Sequence, residues 1–169
     1  NGNTQSGLLS CTEKYNGSSW SETGNLPAAG KNTAGTGTQN AAIQAGRYCT
    51  PGSAPGAHGT ETYLFDGNAW SDAGADLITA GRRDAGFGGT YDAAVSVGGS
   101  PYPTGCRCVE NWNGSTWSSG TIINTGRIGA SFAGTQNASI IFGNQAPYSG
   151  CTEEWNGTTW TETNNLIQQ

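Results

Sequence analysis

The sequence carries little charge and has no long apolar segment. Only 11% of its 169 residues are Asp, Glu, Lys or Arg, and the net charge at pH 7 is −5. Proteins that bind nucleic acids or anionic membranes concentrate Lys and Arg on one surface, whereas this chain has seven such residues in all. No apolar run approaches the roughly 18 residues that indicate a bilayer span. The composition therefore argues against nucleic-acid partners and against membrane insertion.

Residues and motifs typical of catalysis are also scarce. His58 is the only histidine, and acid–base catalysis needs a histidine with a partner or positioned carboxylates. The sequence contains no nucleophile-elbow, phosphate-loop or calcium-loop motif, and no Cys/His set with zinc-ligand spacing. We therefore expect no enzymatic activity, no metal and no cofactor. A polysaccharide-active enzyme is the least favoured alternative, with Glu153, Glu154 or Asp66 as its acids.

Methionine is absent, and the sequence starts at Asn1 without a charged–apolar–small signal segment. We expect that a leader has been removed or that these residues belong to a longer polypeptide.

Five cysteines in a Gly- and Thr-rich chain favour an oxidising, extracellular location. Cys49 and Cys106 both follow an apolar strand in neighbouring repeats, and we predict a disulfide between them. Because the number of cysteines is odd, at least one thiol is free or pairs between chains.

A repeated motif is the main feature of the sequence. An aromatic residue, Asn-Gly or Asp-Gly, two further residues and a Trp occur together four times. The four units end at Trp20, Trp70, Trp117 and Trp160. Asn-Gly and Asp-Gly flanked by aromatic residues predict hairpins whose two central residues have positive φ. These tryptophans are predicted to form the core of each repeat.

A second block, of the pattern Gly-Thr-x-x-Ala, lies between those units at 37–43, 89–95 and 134–140. Ala93, Val95 and Val97 alternate with smaller or polar residues, as in a strand with one packed face. One repeat is therefore predicted to form about four short antiparallel strands, which is the size of a propeller blade.

The predicted fold is all-β, with propeller-type four-stranded blades and about 3.5 repeats in one domain. The half-blade covers 8–23, and the blades cover 33–74, 85–120 and 130–163. A propeller closes its ring with typically four to eight blades. We therefore expect a homo-oligomer or the remainder of a longer chain to complete it.

These repeats resemble a known family. The Gly98-Gly99 doublet, the aromatic residue before the turn and the Trp after it resemble the kelch repeat. The Asn-Gly-x-x-Trp units joined to Gly-Thr-Gln-x-Ala blocks are similar to kelch-like repeats of predicted marine bacteriophage proteins. The resemblance runs from about Cys11 to Leu166 and implies a propeller at a virion surface or in another extracellular location. The doublet is intact only in the second repeat, since Gly46 precedes Arg47 and Gly143 precedes Asn144.

Loops that differ between the repeats supply the candidate binding residues. The loops cover 48–60, 100–107 and 145–150, and several of their residues are Pro. They carry the aromatic and basic side chains Tyr48, His58, Tyr102, Arg107 and Tyr148. Tyr in Pro-containing loops suits stacking on carbohydrate or contact with protein, because little side-chain entropy is lost on binding.

Lys31, Arg82 and Arg127 occur once before each blade. We expect them to form a repeated ion pair or carbonyl cap, and a ring of cations for an anionic glycan is the alternative.

The leading hypothesis is a non-enzymatic binding module that attaches to a glycan or protein on a host surface. The alternative is a purely structural subunit that assembles into a fibre, filament or shell.

Overall fold

The computed structural model describes residues 3–4, 7–48, 58–80, 82–100, 105–145 and 148–167. Within these residues the chain contains strands and turns and no helix. The all-β prediction is therefore confirmed. Tyr102 and Cys49 lie outside the described residues.

Three antiparallel four-stranded sheets follow one another along the chain. Sheet 1 consists of β5 (Ala34–Thr38), β6 (Ala41–Tyr48), β7 (His58–Phe65) and β8 (Trp70–Asp72). Sheet 2 consists of β9 (Gly86–Thr90), β10 (Ala93–Val97), β11 (Val109–Trp112) and β12 (Trp117–Ser119). Sheet 3 consists of β13 (Ser131–Gly134), β14 (Ser139–Gln145), β15 (Tyr148–Trp155) and β16 (Trp160–Thr163). In each sheet the strand order follows the chain order, which is blade-like.

A two-stranded hairpin precedes the three sheets. It pairs β3 (Glu13–Tyr15) with β4 (Trp20–Glu22), which correspond to the third and fourth strands of a complete sheet. A smaller pair, β1 (Asn3–Thr4) and β2 (Gly7–Leu8), comes before it. Sheets 1 to 3 lie within the ranges predicted for the blades, and β3–β4 lies within the predicted half-blade.

The four Asn-Gly and Asp-Gly turns share one geometry that differs from the predicted type. The φ of Gly17 is +98°, but Asn16 is not in the left-handed region, so only one central residue has positive φ. The loop has four residues between the paired Tyr15 and Trp20. The Asn16 side chain accepts hydrogen bonds from two backbone N–H groups of this loop, at 2.9 Å each. This Asx turn makes a second positive φ unnecessary.

In sheets 1 and 3 a bulge in the second strand falls at Gly46 and Gly143, which occupy the position of Gly98 in the Gly98-Gly99 doublet. Gly46, Gly98 and Gly143 all adopt positive φ, between +68° and +74°. At Gly98 an added Cβ would lie 2.8 Å from the carbonyl oxygen of Arg127, so the next linker also crosses too closely for a side chain. The second glycine of the doublet is replaced in sheets 1 and 3, where the backbone continues as a strand.

The sheets pack face to face, with their first strands adjacent. Strand β9 lies between β5 and β13. One buried cluster joins sheet 1 to sheet 2 around Ile43, Trp112 and Trp117. Another joins sheet 2 to sheet 3 around Ile141 and Trp160. The interior is therefore a stack of thin layers between successive sheets.

The four repeated tryptophans are not equally buried, because their burial depends on the sheet that packs against each of them. Trp117 and Trp160 are buried against the preceding sheet, while Trp70 is only partly buried. Trp20 is 67% exposed, so the expected core role does not hold there. The reason is that, among the described residues, no four-stranded sheet precedes the β3–β4 hairpin to cover this side chain.

Candidate functional site

The predicted binding residues that the structure describes belong to the edge of the fold where the second and third strands of each sheet connect. Tyr48 ends β6, and its backbone pairs with that of Lys31. The Lys31 Nζ and the Arg83 Cζ each lie 5.0 Å from the centre of the Tyr48 ring. The ring thus joins the two linkers that precede sheets 1 and 2, by cation–π contacts. Tyr48 therefore has a packing role at this edge.

Arg107 also has a packing role. Its Nε donates a 2.6 Å hydrogen bond to the carbonyl oxygen of Ile123, in the linker after sheet 2. His58 begins β7, and its backbone pairs with Tyr48. Of the predicted binding residues whose side chains the structure describes, Tyr148 alone presents a largely free ring.

Tyr148 is 87% exposed at the start of β15. The ring borders two shallow concavities of about 480 and 410 Å³. Polar lining comes from Asn144, Gln145 and Ser149, and apolar lining comes from Leu166. No charged side chain lines either concavity among the described residues. We call these five residues the Tyr148 surface.

The backbone beneath the Tyr148 surface is fixed by hydrogen bonds. The Asn144 Oδ1 accepts a 3.0 Å bond from the N–H of Ile128, and the N–H of Gln145 donates a 2.9 Å bond to the Ile128 carbonyl. The N–H of Leu166 donates to the carbonyl of Gly150 at 2.8 Å. An exposed aromatic ring beside amide and hydroxyl groups on a firm backbone can stack on one face of a sugar and bond its hydroxyls.

The basic residues before sheets 2 and 3 are buried. Arg82 bonds the Glu110 carboxylate at 2.9 Å, and Arg127 bonds that of Glu153 at the same distance. Burial lowers the pKa of Arg82, and the charge of Glu110 opposes that shift. The repeated ion pair is therefore present at these two linkers, and neither guanidinium is placed to bind an anionic glycan.

Of the acids considered for catalysis, Glu154 is exposed, whereas Glu153 and Asp66 are engaged in the fold. Glu153 is fully buried and, besides Arg127, accepts two backbone hydrogen bonds. Asp66 accepts backbone hydrogen bonds in its turn, which lower the pKa of its carboxyl. Within the described ranges no group of three or more His, Cys, Asp or Glu could hold a metal ion.

The cysteines are arranged differently from the prediction. The structure pairs Cys106 with Cys108, with a Cα–Cα distance of 5.3 Å. A Cys49–Cys106 bridge is therefore not supported, because the Cys106 sulfur is already used. Because Cys106 and Cys108 are two residues apart on an extended segment, their side chains lie on the same face. Cys11 and Cys151 are free thiols.

A further cavity lies away from the loops, between the β3–β4 hairpin and sheet 1. It has a volume of about 1000 Å³ and is lined by Glu13, Trp20, Thr36, Gln44 and Trp70, among others. The hairpin is attached to sheet 1 through the Trp70 Nε1, which donates a 2.9 Å bond to the Thr12 hydroxyl. We call this cavity the β3 gap. Sequence reasoning recognised the incomplete blade and expected another chain or the remainder of a longer chain to complete it, but it did not identify the residues that line the gap.

No protein-family model matches the chain, and no curated protein matches its sequence. Among the residues that the structure describes, no helix is long and apolar enough to cross a membrane.

Proposed function

We propose that the protein is a non-enzymatic binding module that attaches to uncharged surface carbohydrate through the Tyr148 surface. The observation that carries the proposal is the 87% exposed Tyr148 ring between two concavities lined by uncharged side chains. The proposed location is extracellular, at a virion surface or a comparable surface, as the kelch-like and phage-like resemblance implies. The target would be a host-surface polysaccharide.

The chemistry of the surface favours sugar over other ligands. An exposed aromatic ring offers a flat apolar face for the C–H groups of a pyranose and loses little entropy on binding. Asn, Gln and Ser offer both donors and acceptors for hydroxyls. A shallow site of this kind binds weakly by itself, so attachment would rely on several copies acting together. Because charges are absent from the lining, binding should change little with salt.

The first test is binding of a multivalent form to surface polysaccharides. The biotinylated chain is loaded on streptavidin and applied to an array of bacterial capsular and envelope polysaccharides at low and high salt. Binding that is retained at high salt and reduced about tenfold or more by Tyr148→Ala is the expected result, since stacking contributes on the order of 1.5 kcal/mol. Tyr148→Phe keeps the ring and is expected to retain most of the binding.

Ile78→Ala serves as the matched control, because Ile78 is 58% exposed and lies outside the Tyr148 surface. Equal binding by the Tyr148→Ala and Ile78→Ala variants would contradict the proposal. So would binding to host-surface protein alone, with no signal on any polysaccharide.

A structural role is the second candidate function, and the open edge of β3 favours it. In the described part of the chain β3 pairs only with β4, and an unpaired strand edge is a template for pairing with another chain. Electron microscopy and light scattering of the purified chain without ligand would test this. Filaments or defined oligomers would support a structural subunit, and a stable monomer at high concentration would contradict it.

A further inference from the structure

Two of the three complete sheets, sheets 2 and 3, show how a glutamate of the third strand fastens a linker, whereas in sheet 1 the corresponding residue is Tyr63. In sheet 2, the Glu110 carboxylate on β11 accepts hydrogen bonds from the N–H groups of Ile78 and Thr79, at 2.7 and 3.1 Å. It also accepts a 2.9 Å bond from the guanidinium of Arg82. Arg82 lies four residues before β9 begins. One buried carboxylate thus binds the segment that leads into the first two strands of its own sheet.

Sheet 3 repeats this arrangement with nearly the same distances. The Glu153 carboxylate accepts from the N–H groups of Asn124 and Thr125, at 2.7 and 3.1 Å, and from Arg127 at 2.9 Å. Glu13 occupies the corresponding position on β3. Its side chain is exposed, and it forms no ion pair with another described residue. The β3 gap therefore presents a carboxylate whose counterparts each hold one arginine and two N–H groups.

A second pair of equivalent residues identifies the missing strand. In sheet 3, the Gln136 Nε2 donates to two carbonyls of sheet 2, at 2.7 Å to Ala94 on β10 and 2.6 Å to Trp112 on β11. Gln39 is the corresponding residue of sheet 1 and donates to the Tyr15 carbonyl on β3. No second acceptor for Gln39 is present among the described residues. A strand paired with the free edge of β3 would supply this missing carbonyl.

Gln44 provides an independent sign of an unfilled site. Its side chain lines the β3 gap and is only 6% exposed. The Oε1 atom has no hydrogen-bond partner among the described residues, whereas the Nε2 atom donates to the Gly46 carbonyl at 2.6 Å. A buried acceptor without a donor destabilises the fold, because it has lost its bonds to water. A donor entering the gap would remove that cost.

We propose that the β3 gap is a docking site for a β-hairpin in which an arginine precedes the first strand. The second strand of this hairpin adds to the free edge of β3, and its backbone supplies the missing carbonyl for Gln39. The arginine and the N–H groups before it bind Glu13. Backbone pairing gives such strand addition its affinity, and the side-chain contacts give it its specificity.

The required hairpin is a separate segment and not one of the inner hairpins of a second copy. In each complete sheet of this chain the first two strands are already paired with the third. The two arginines that could bind Glu13 in this way, Arg82 and Arg127, are about 1% exposed and held by their own glutamates. The described residues of a folded second copy therefore offer no free hairpin of this type.

The test uses the whole chain and a synthetic peptide with the sequence of residues 77–97. This peptide contains both N–H donors, Arg82 and the β9–β10 hairpin sequence. With a fluorescent label, its binding is followed by anisotropy. We expect saturable binding, an affinity lowered about tenfold or more by Glu13→Gln, and a similar loss when the peptide carries Arg82→Gln. Hydrogen exchange at the β3 amides should slow in the complex.

Glu162→Gln is the matched control, because Glu162 is an exposed acid on β16 and its change alters the net charge equally. This variant is expected to bind the peptide as the parent does. Absence of binding at millimolar peptide would overturn the proposal, as would equal affinity for the parent and Glu13→Gln. Self-association of the chain that excludes the peptide would overturn it in favour of a second copy.

Discussion

At the scale of single residues, the four Asn-Gly and Asp-Gly turns share one hydrogen-bonding arrangement. Only one of them, the turn at Asp66, has a side chain that titrates. Asp66 occupies the position that Asn16, Asn113 and Asn156 occupy in the other turns, and its Oδ1 accepts two 2.8 Å bonds from backbone N–H groups. These bonds favour the ionised carboxylate and lower the pKa of Asp66 below its ordinary value of 3.8. The carboxylate therefore adds stability above the ordinary pKa and loses it as the pH falls through the lower, folded-state pKa.

We predict that Asp66→Asn keeps the turn and removes this dependence on pH. Asn fills the same position in the other three turns, so the hydrogen bonds should persist. Stability measured by urea unfolding should fall less between pH 5 and pH 2 in the variant than in the parent, and an NMR titration should give an Asp66 pKa below 3.8. An Asp66 pKa at or above that value would refute the role assigned to the turn.

The buried ion pairs lead to a second prediction at this scale. Glu153→Gln leaves the Arg127 guanidinium charged and without its carboxylate in the interior, which should lower the free energy of unfolding by about 3–5 kcal/mol. Chemical denaturation is the measurement. The adjacent Glu154→Gln is the control, since that side chain is exposed and should change stability by less than about 0.5 kcal/mol. Equal effects of the two substitutions would show that the buried pair is not what holds the linker.

At the scale of elements, the packing of adjacent first strands depends on small residues in β9. An added Cβ at Gly88 would lie 2.5 Å from the Phe132 Cδ1 on β13, and one at Gly86 would lie 2.9 Å from the Phe132 Cβ. We predict that Gly88→Ala destabilises the protein by about 1–3 kcal/mol through overpacking. In a Phe132→Ala background the same substitution should cost much less, because the ring is gone. Additive effects in this double-mutant cycle would contradict the packing account.

The sequence predicted where the hairpins form better than it predicted which side chains are buried. The Asn-Gly-x-x-Trp units mark where hairpins form, because the turn residues and the flanking aromatics act locally. The turn type was wrong since the Asn16 side chain satisfies the loop without a second positive φ. Burial was harder to predict, because Trp20 and Trp117 have the same local sequence signal but differ in whether a four-stranded sheet precedes them. Contacts between repeats decide such cases, and a local pattern does not contain them.

Prediction of the candidate site was limited in the same way, because a local pattern does not contain the contacts between repeats. The pattern of Tyr in a variable loop singled out the exposed Tyr148 together with residues that have packing roles. Tyr48 lies between Lys31 and Arg83, and Arg107 bonds the Ile123 carbonyl. These partners come from linkers distant in sequence, so the residue type alone did not separate an exposed ring from a packed one.

At the scale of the whole molecule, the fold presents two separate surfaces. The Tyr148 surface lies on sheet 3, at the end where the second and third strands connect. The β3 gap lies at the opposite end of the series of sheets, between the β3–β4 hairpin and sheet 1. A protein with this arrangement could bind sugar at one end and a protein hairpin at the other, and the two activities should be separable by mutation.

The most direct test of the central proposal is an NMR titration of the ¹⁵N-labelled chain with neutral oligosaccharides released from bacterial surface polysaccharides. We predict that chemical shift changes concentrate at Asn144, Gln145, Tyr148, Ser149 and Leu166, with the same pattern at high salt. Changes confined to the residues around the β3 gap, or no changes with any oligosaccharide, would contradict the proposal that the Tyr148 surface binds carbohydrate.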